Sequence, residues 1–135
     1  MATLNHIGIA SSAIPGMAKL FALLGLKVTH VEPVPEQGVV AHFLPLPADH
    51  AHLELLEPLD PEGTVAQFLK KRGPGIHHLA FEVVRGELDE LCNRLRTEGY
   101  RLIFPQAKPG AQGARVNFIH PASAGGILIE IMEPN

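Results

Sequence analysis

"IHHLAFEV", Ile76 to Val83, reads as an apolar strand that begins with two histidines. Side chains on a strand alternate between its faces. His78, Ala80 and Glu82 therefore share one face, and His77, Leu79 and Phe81 the other. An earlier stretch, "LNHIGIA" (Leu4 to Ala10), has the same form, because His6 and His78 each precede an apolar–small–apolar triplet. His6, Gly8 and Ala10 share a face, so the two histidines occupy equivalent faces lined otherwise by small residues. Small neighbours leave room for something else to bind. His77 points the other way and is read as structural or surface-facing.

Two further strings match in the same way. "HLELLEPL" and "LIEIMEPN" each carry a Glu-apolar-apolar-Glu-Pro run, opened by Glu54 and Glu130. The histidines are 72 residues apart (6 to 78) and the glutamates 76 (54 to 130), a difference that one loop absorbs. Between these anchors each half reads strand–helix–strand–strand–strand. In the first half the strands are Leu4 to Ala10, Leu26 to Pro33, Val39 to Leu46 and Ala51 to Pro58, with a helix over Pro15 to Leu24 closed by Gly25. In the second half "GELDELCNRLRTEG" places Leu88, Leu91, Cys92 and Leu95 at helical spacing. The expected strands there are Ile76 to Val83, "YRLIFP" (100 to 105), "RVNFIHP" and "GILIEIMEPN". "QAKPGAQGA" is a long Gly-rich loop between two of them. The expectation is an α+β domain over 1–135 built from a duplicated βαβββ unit. Its modules are 1–58 and 76–135, and a helical connector, 59–75, joins them.

Composition narrows the function. With 46% apolar and 19% charged residues, the chain has the make-up of a folded domain. Its net charge of −3 argues against nucleic acid or an acidic membrane surface as a partner. The single cysteine, Cys92, excludes an internal disulfide and reads as a small core residue. "MATLNHIGIA" has neither a basic nor a long apolar region of the kind that directs export, so the expected location is cytoplasmic.

Glu130 lies well inside an apolar strand that contains no Lys or Arg. A carboxylate buried there needs a compensating cation. His6, Glu54, His78 and Glu130, equivalent in pairs on four strands, offer two imidazoles and two carboxylates. That donor set suits a divalent metal such as Zn, Mn, Co, Ni or Fe. Glu57 and Glu133 precede prolines at strand ends and read as solvated.

The strings "LNHIGIA", "PEQGV", "HLELLEPL", "VAQFLKKRGPGIHHLAFEV", "VNFIHP" and "GGILIEIMEP" together resemble the vicinal oxygen chelate (glyoxalase-like) superfamily. Within it they are similar to methylmalonyl-CoA epimerases. The resemblance implies a curved mixed sheet that cups a divalent ion (Co, Mn, Zn, Ni or Mg). His6, His78 and Glu130 would be ligands, and Glu54 would fill a fourth position that some members give to Gln. It implies epimerisation at C2 of methylmalonyl-CoA by proton removal and return through a stabilised enolate. Glu130 and Glu54 would be the catalytic pair, and Gln37 and His120 substrate contacts. Some bacterial members carry a glutamate base just after "GVV" or "GVR", where this chain has Ala41. The implied partner is a small acyl-CoA and the implied assembly a homodimer. The competing activities are a glyoxalase I-type isomerisation of a glutathione hemithioacetal, an extradiol dioxygenase, and a metal-free binding module of the same fold.

Overall fold

The computed structural model describes residues 1–135. It contains two compact units, one formed by His6–His77 and the other by Met1–Asn5 together with His78–Asn135. The first carries β1 (Thr3–Ala10, apart from its first three residues), α1 (Ile14–Leu23), β2 (His30–Val34), β3 (Val39–Pro45), β4 (His52–Pro58) and α2 (Thr64–Arg72). Its strand order is β2-β3-β4-β1. β1 runs parallel to β4, and β3 is antiparallel to both of its neighbours. The second unit carries most of β5 (Gly75–Glu82), then α3 (Leu88–Thr97), β6 (Lys108–Pro109), β7 (Arg115–Ile119) and β8 (Ile129–Glu133). Its order is β5-β8-β7-β6, with β5 parallel to β8 and β7 antiparallel to β8 and β6. Each unit is thus an α+β arrangement with a mixed set of strands.

In the first unit, Ile14 on α1 packs on Leu44 and Leu55, with Met17, Phe21, Leu26 and Val28 around them. In the second, Leu88 and Cys92 on α3 pack on Val83 and Ile131. Cys92 is the core residue its spacing implied, and burial raises its thiol pKa, which keeps it inert. Between β2 and β3 the chain turns through Gly38 at φ +67°. A Cβ there would lie 3.3 Å from both the Asp60 side chain and the Gly63 backbone, so glycine answers the torsion and the close approach together.

Three expectations need correction. β2 begins at His30 rather than Leu26. Its register pairs His30 with Phe43, so Val28 would face Pro45, which has no N–H to continue the ladder. Leu26 and Val28 pack into the core as irregular chain instead. "YRLIFP" is not a strand, and only an isolated bridge joins Leu102 to Ile119. The fully buried Asn117 side chain accepts from the Phe104 N–H (3.1 Å) and donates to its carbonyl (3.0 Å), while Arg96 donates to the carbonyls of Phe104 and Pro105. Side chains take the hydrogen bonds that a ladder would have used. The strand appears later, as β6 inside the expected Gly-rich loop.

The third correction is Glu133, which is buried rather than solvated. Its Oε2 accepts from the N–H groups of Gly86 (2.9 Å) and Leu88 (3.2 Å), at the start of α3. Its Oε1 accepts from Arg115 (2.6 Å), whose guanidinium also binds Asp89. A carboxylate from β8 thereby serves the orphan donors at a helix N-terminus. Glu57, by contrast, is half-exposed, as its position implied.

Burial alone would push the Glu133 pKa up, but the Leu88 N–H, the Arg115 guanidinium and the Gly86 N–H together bring it below the ordinary value. A depressed carboxylate stabilises the fold above its unfolded pKa, and that stabilisation is lost as pH falls through the folded one. Glu133→Gln is expected to cost about 1–3 kcal/mol in urea unfolding at neutral pH. It is also expected to flatten the loss of stability that the parent shows below about pH 4. Equal stability and an unchanged acid limb would show that the buried network contributes nothing.

Candidate functional site

The site residues in each unit follow from strand register. In the first unit His6 pairs with His52 and Gly8 with Glu54 across the parallel β1–β4 ladder. His6 therefore sits two residues before the position opposite Glu54, on the same face. Its Nδ1 lies 2.9 Å from Glu54 Oε2. In the second unit Ala80 pairs with Glu130 across β5–β8, so His78 again sits two residues before the position opposite the glutamate. Its Nε2 lies 3.0 Å from Glu130 Oε2. All four side chains are buried, and each carboxylate is only 5% exposed. The same register thus generates a buried imidazole–carboxylate pair in each unit.

The first unit adds a residue that the sequence reading passed over. His52, two residues before Glu54 and on its face, places Nε2 2.8 Å from the same Oε2 that His6 contacts. The His6 and His52 rings stand 5.2 Å apart. His6, His52 and Glu54 each offer one ligand atom, and these atoms lie within 4.8 Å of one another. One carboxylate oxygen shared by two imidazoles on adjacent strands is a donor cluster able to hold a metal ion, with nitrogen and oxygen ligands of intermediate hardness. The signal in the sequence was His-x-Glu, since two residues on a strand return the side chain to the same face.

His77 lies on the other face, as expected, with its ring edge-on to Phe68 of α2 at 5.1 Å. Gln37 sits in the 3-10 turn before Gly38, and its Nε2 is buried with no hydrogen-bond partner. His120 caps the turn Pro121–Ser123, where its Nδ1 accepts from the Ala122 N–H at 3.0 Å. Arg115 is committed to Glu133 and Asp89, and Lys108 lies over the Phe104 ring at 4.5 Å.

The model of the Glyoxalase/Bleomycin resistance protein/Dioxygenase superfamily matches residues 5–118. The chain belongs to this superfamily. Among its relatives, the mitochondrial methylmalonyl-CoA epimerase of Bos taurus is 35% identical over 133 residues, covering 95% of this chain and 72% of the relative. The crystal structure of methylmalonyl-CoA epimerase from Mycobacterium tuberculosis is 41% identical and superposes with a TM-score of 0.91, covering 98% of this chain and 87% of the other. A variant of the Streptomyces coelicolor epimerase, solved in complex with 2-nitronate-propionyl-CoA, is 31% identical with a TM-score of 0.86, covering 97% and 96%. No helix of the chain is long and apolar enough to cross a membrane.

Gln37 gives this geometry a direct check. An unpartnered buried amide costs stability, and removing it costs none. Gln37→Leu is expected to unfold at the parent's temperature or above it. A loss of more than about 2 kcal/mol would show that the amide is satisfied within the fold.

Proposed function

We propose that this protein is a metal-dependent methylmalonyl-CoA epimerase, interconverting the (R) and (S) forms at C2. The observation that carries the reading is the buried imidazole–carboxylate pair made by one register in both units. Relatives of the same name, matched over nearly the whole chain, support it. His6, Glu54, His78 and Glu130 are proposed as the ligands of one divalent ion (Co, Mn, Zn, Ni or Mg), supplied in pairs by the modules 1–58 and 76–135. The donor set fits such an ion, because two neutral imidazoles and two carboxylates neutralise it without thiolate. When bound, the ion would stabilise the negative charge that develops on the substrate oxygens as C2 loses its proton.

The chain's own residues do the rest. Epimerisation needs a proton removed from one side of C2 and returned on the other. Glu130 and Glu54 are the proposed proton carriers. Their burial excludes competing water. Gln37, with its unpartnered amide, and His120 are proposed as substrate contacts. The substrate class is a small acyl-CoA, bound in the cytoplasm by a homodimer. The exposed Leu20 and Leu23 of α1, with Leu24 just after it, are apolar surface that a second copy would cover.

The test supplies methylmalonyl-CoA to cobalt-loaded protein in deuterated water. Deuterium at C2 with racemisation is expected. Turnover of a glutathione hemithioacetal without C2 exchange would favour glyoxalase I-type chemistry instead. Glu130→Gln is expected to lower epimerisation by about 10²-fold or more. His6→Ala and His78→Ala are expected to lose metal, and His77→Ala to retain it. Loss of metal from His77→Ala would overturn the face assignment.

A further inference from the structure

One side chain of the first unit stands beside the proposed ligands without belonging to them. His52, on β4, pairs directly with His6 across the β1–β4 ladder. It also lies two residues before Glu54, so the two side chains share a face. Glu54 Oε2 is therefore approached from two strands, by His6 Nδ1 at 2.9 Å and by His52 Nε2 at 2.8 Å. His6, His52 and Glu54 all belong to the unit His6–His77.

An ionised carboxylate oxygen only accepts hydrogen bonds, so His52 donates to it from Nε2. A nitrogen that carries this hydrogen has no lone pair for an ion. His52 is thus an orienting partner of Glu54 rather than a further ligand. Its own ring is held from the strands on either side of β4. The His6 ring, from β1, stands 5.2 Å away, and the Phe43 ring, from β3, stands 5.3 Å away at 32°. Phe43 is buried and is the direct ladder partner of Glu54.

Packing alone does not call for a histidine at this place. The corresponding residue of the second unit, two before Glu130, is Leu128, which packs against Ala114, Val116 and Phe118. Both units make the imidazole–carboxylate pair by one register, and at the position where the second has leucine the first has an imidazole aimed at its carboxylate.

We propose that His52 is a positioning residue for metal binding, whose Nε2–H fixes the Glu54 carboxylate in the orientation that its role as a ligand needs. The inference rests on the epimerase reading for the ion that His6 and Glu54 serve, and it deepens that reading within the first unit. His6 and Glu54 are both proposed ligands, so an ion competes with the contact between them. His52 stands outside the ligand set, and its hydrogen bond persists to hold the carboxylate. Hydrogen bonds of this kind orient a ligand and strengthen the site.

The test compares the parent with His52→Phe, which keeps a ring beside Phe43 but has no donor, and His52→Gln, which keeps an N–H donor near the place of Nε2. Cobalt affinity is measured by competition with a chelator, together with the visible spectrum of the bound cobalt and the unfolding temperature of the metal-free protein. His52→Phe is expected to bind cobalt about 10- to 100-fold more weakly, with metal-free unfolding near the parent's temperature. His52→Gln is expected to recover most of that affinity and to give the parent's cobalt spectrum. Cobalt affinity of His52→Phe within about threefold of the parent, against the 10- to 100-fold loss expected of a missing orienting partner, would overturn the assignment. Failure of His52→Gln to recover affinity would overturn it too, and a changed cobalt spectrum in that variant would mark His52 as a ligand instead. Should His52→Phe fail to fold, His52→Ala decides the point by the same affinity and the same limits. Absence of cobalt binding in the parent would overturn the metal-dependent reading and this inference with it, whereas parental binding that His52→Phe leaves unchanged would overturn this inference alone.

Discussion

A carboxylate buried in an apolar strand must be answered by a positive or donating partner, and that constraint organises this protein. Glu54 and Glu130 are each 5% exposed. An unpaired charge at that depth would cost several kcal/mol, enough to unfold a domain of this size. Each is met by a histidine from the neighbouring parallel strand, placed by the same two-residue offset from the register partner. Parallel pairing of β1 with β4 and of β5 with β8 is therefore not incidental. It sets the imidazole beside the carboxylate, and the connections that parallel strands require put a helix and further strands between them.

Such pairs are a costly way to stabilise a fold. Replacing a buried ion pair by well-packed apolar residues is often neutral or favourable. Two of them, generated by one repeated register, fit a binding role better than a structural one. The Glu133 network is the contrast. There the carboxylate meets two backbone N–H groups and a guanidinium, its pKa is depressed, and its work is to hold the start of α3 against β8. Both kinds of buried glutamate precede or accompany the same Glu-Pro ending, yet only their partners reveal which is structural.

Much of this is legible in the amino-acid sequence. Period-two alternation placed His6 and His78 on equivalent faces and sent His77 to the opposite one, where it meets Phe68. Helical spacing located α3 and buried Cys92. What escaped the sequence was decided by side chains at a distance. Asn117 displaces the ladder around Phe104, Pro45 cuts β2 short at His30, and Arg115 with the α3 N-terminus draws Glu133 inward. His52 was visible as His-x-Glu, but its significance depends on the register of β1 and β4, which no local pattern states.

The central proposal is that both imidazole–carboxylate pairs serve one ion. An anomalous-scattering map from a cobalt-loaded crystal addresses it most directly. The account predicts a single strong peak per chain bounded by the side chains at 6, 54, 78 and 130. A peak held by the residues of one unit alone, a separate ion in each unit, or no peak would contradict it.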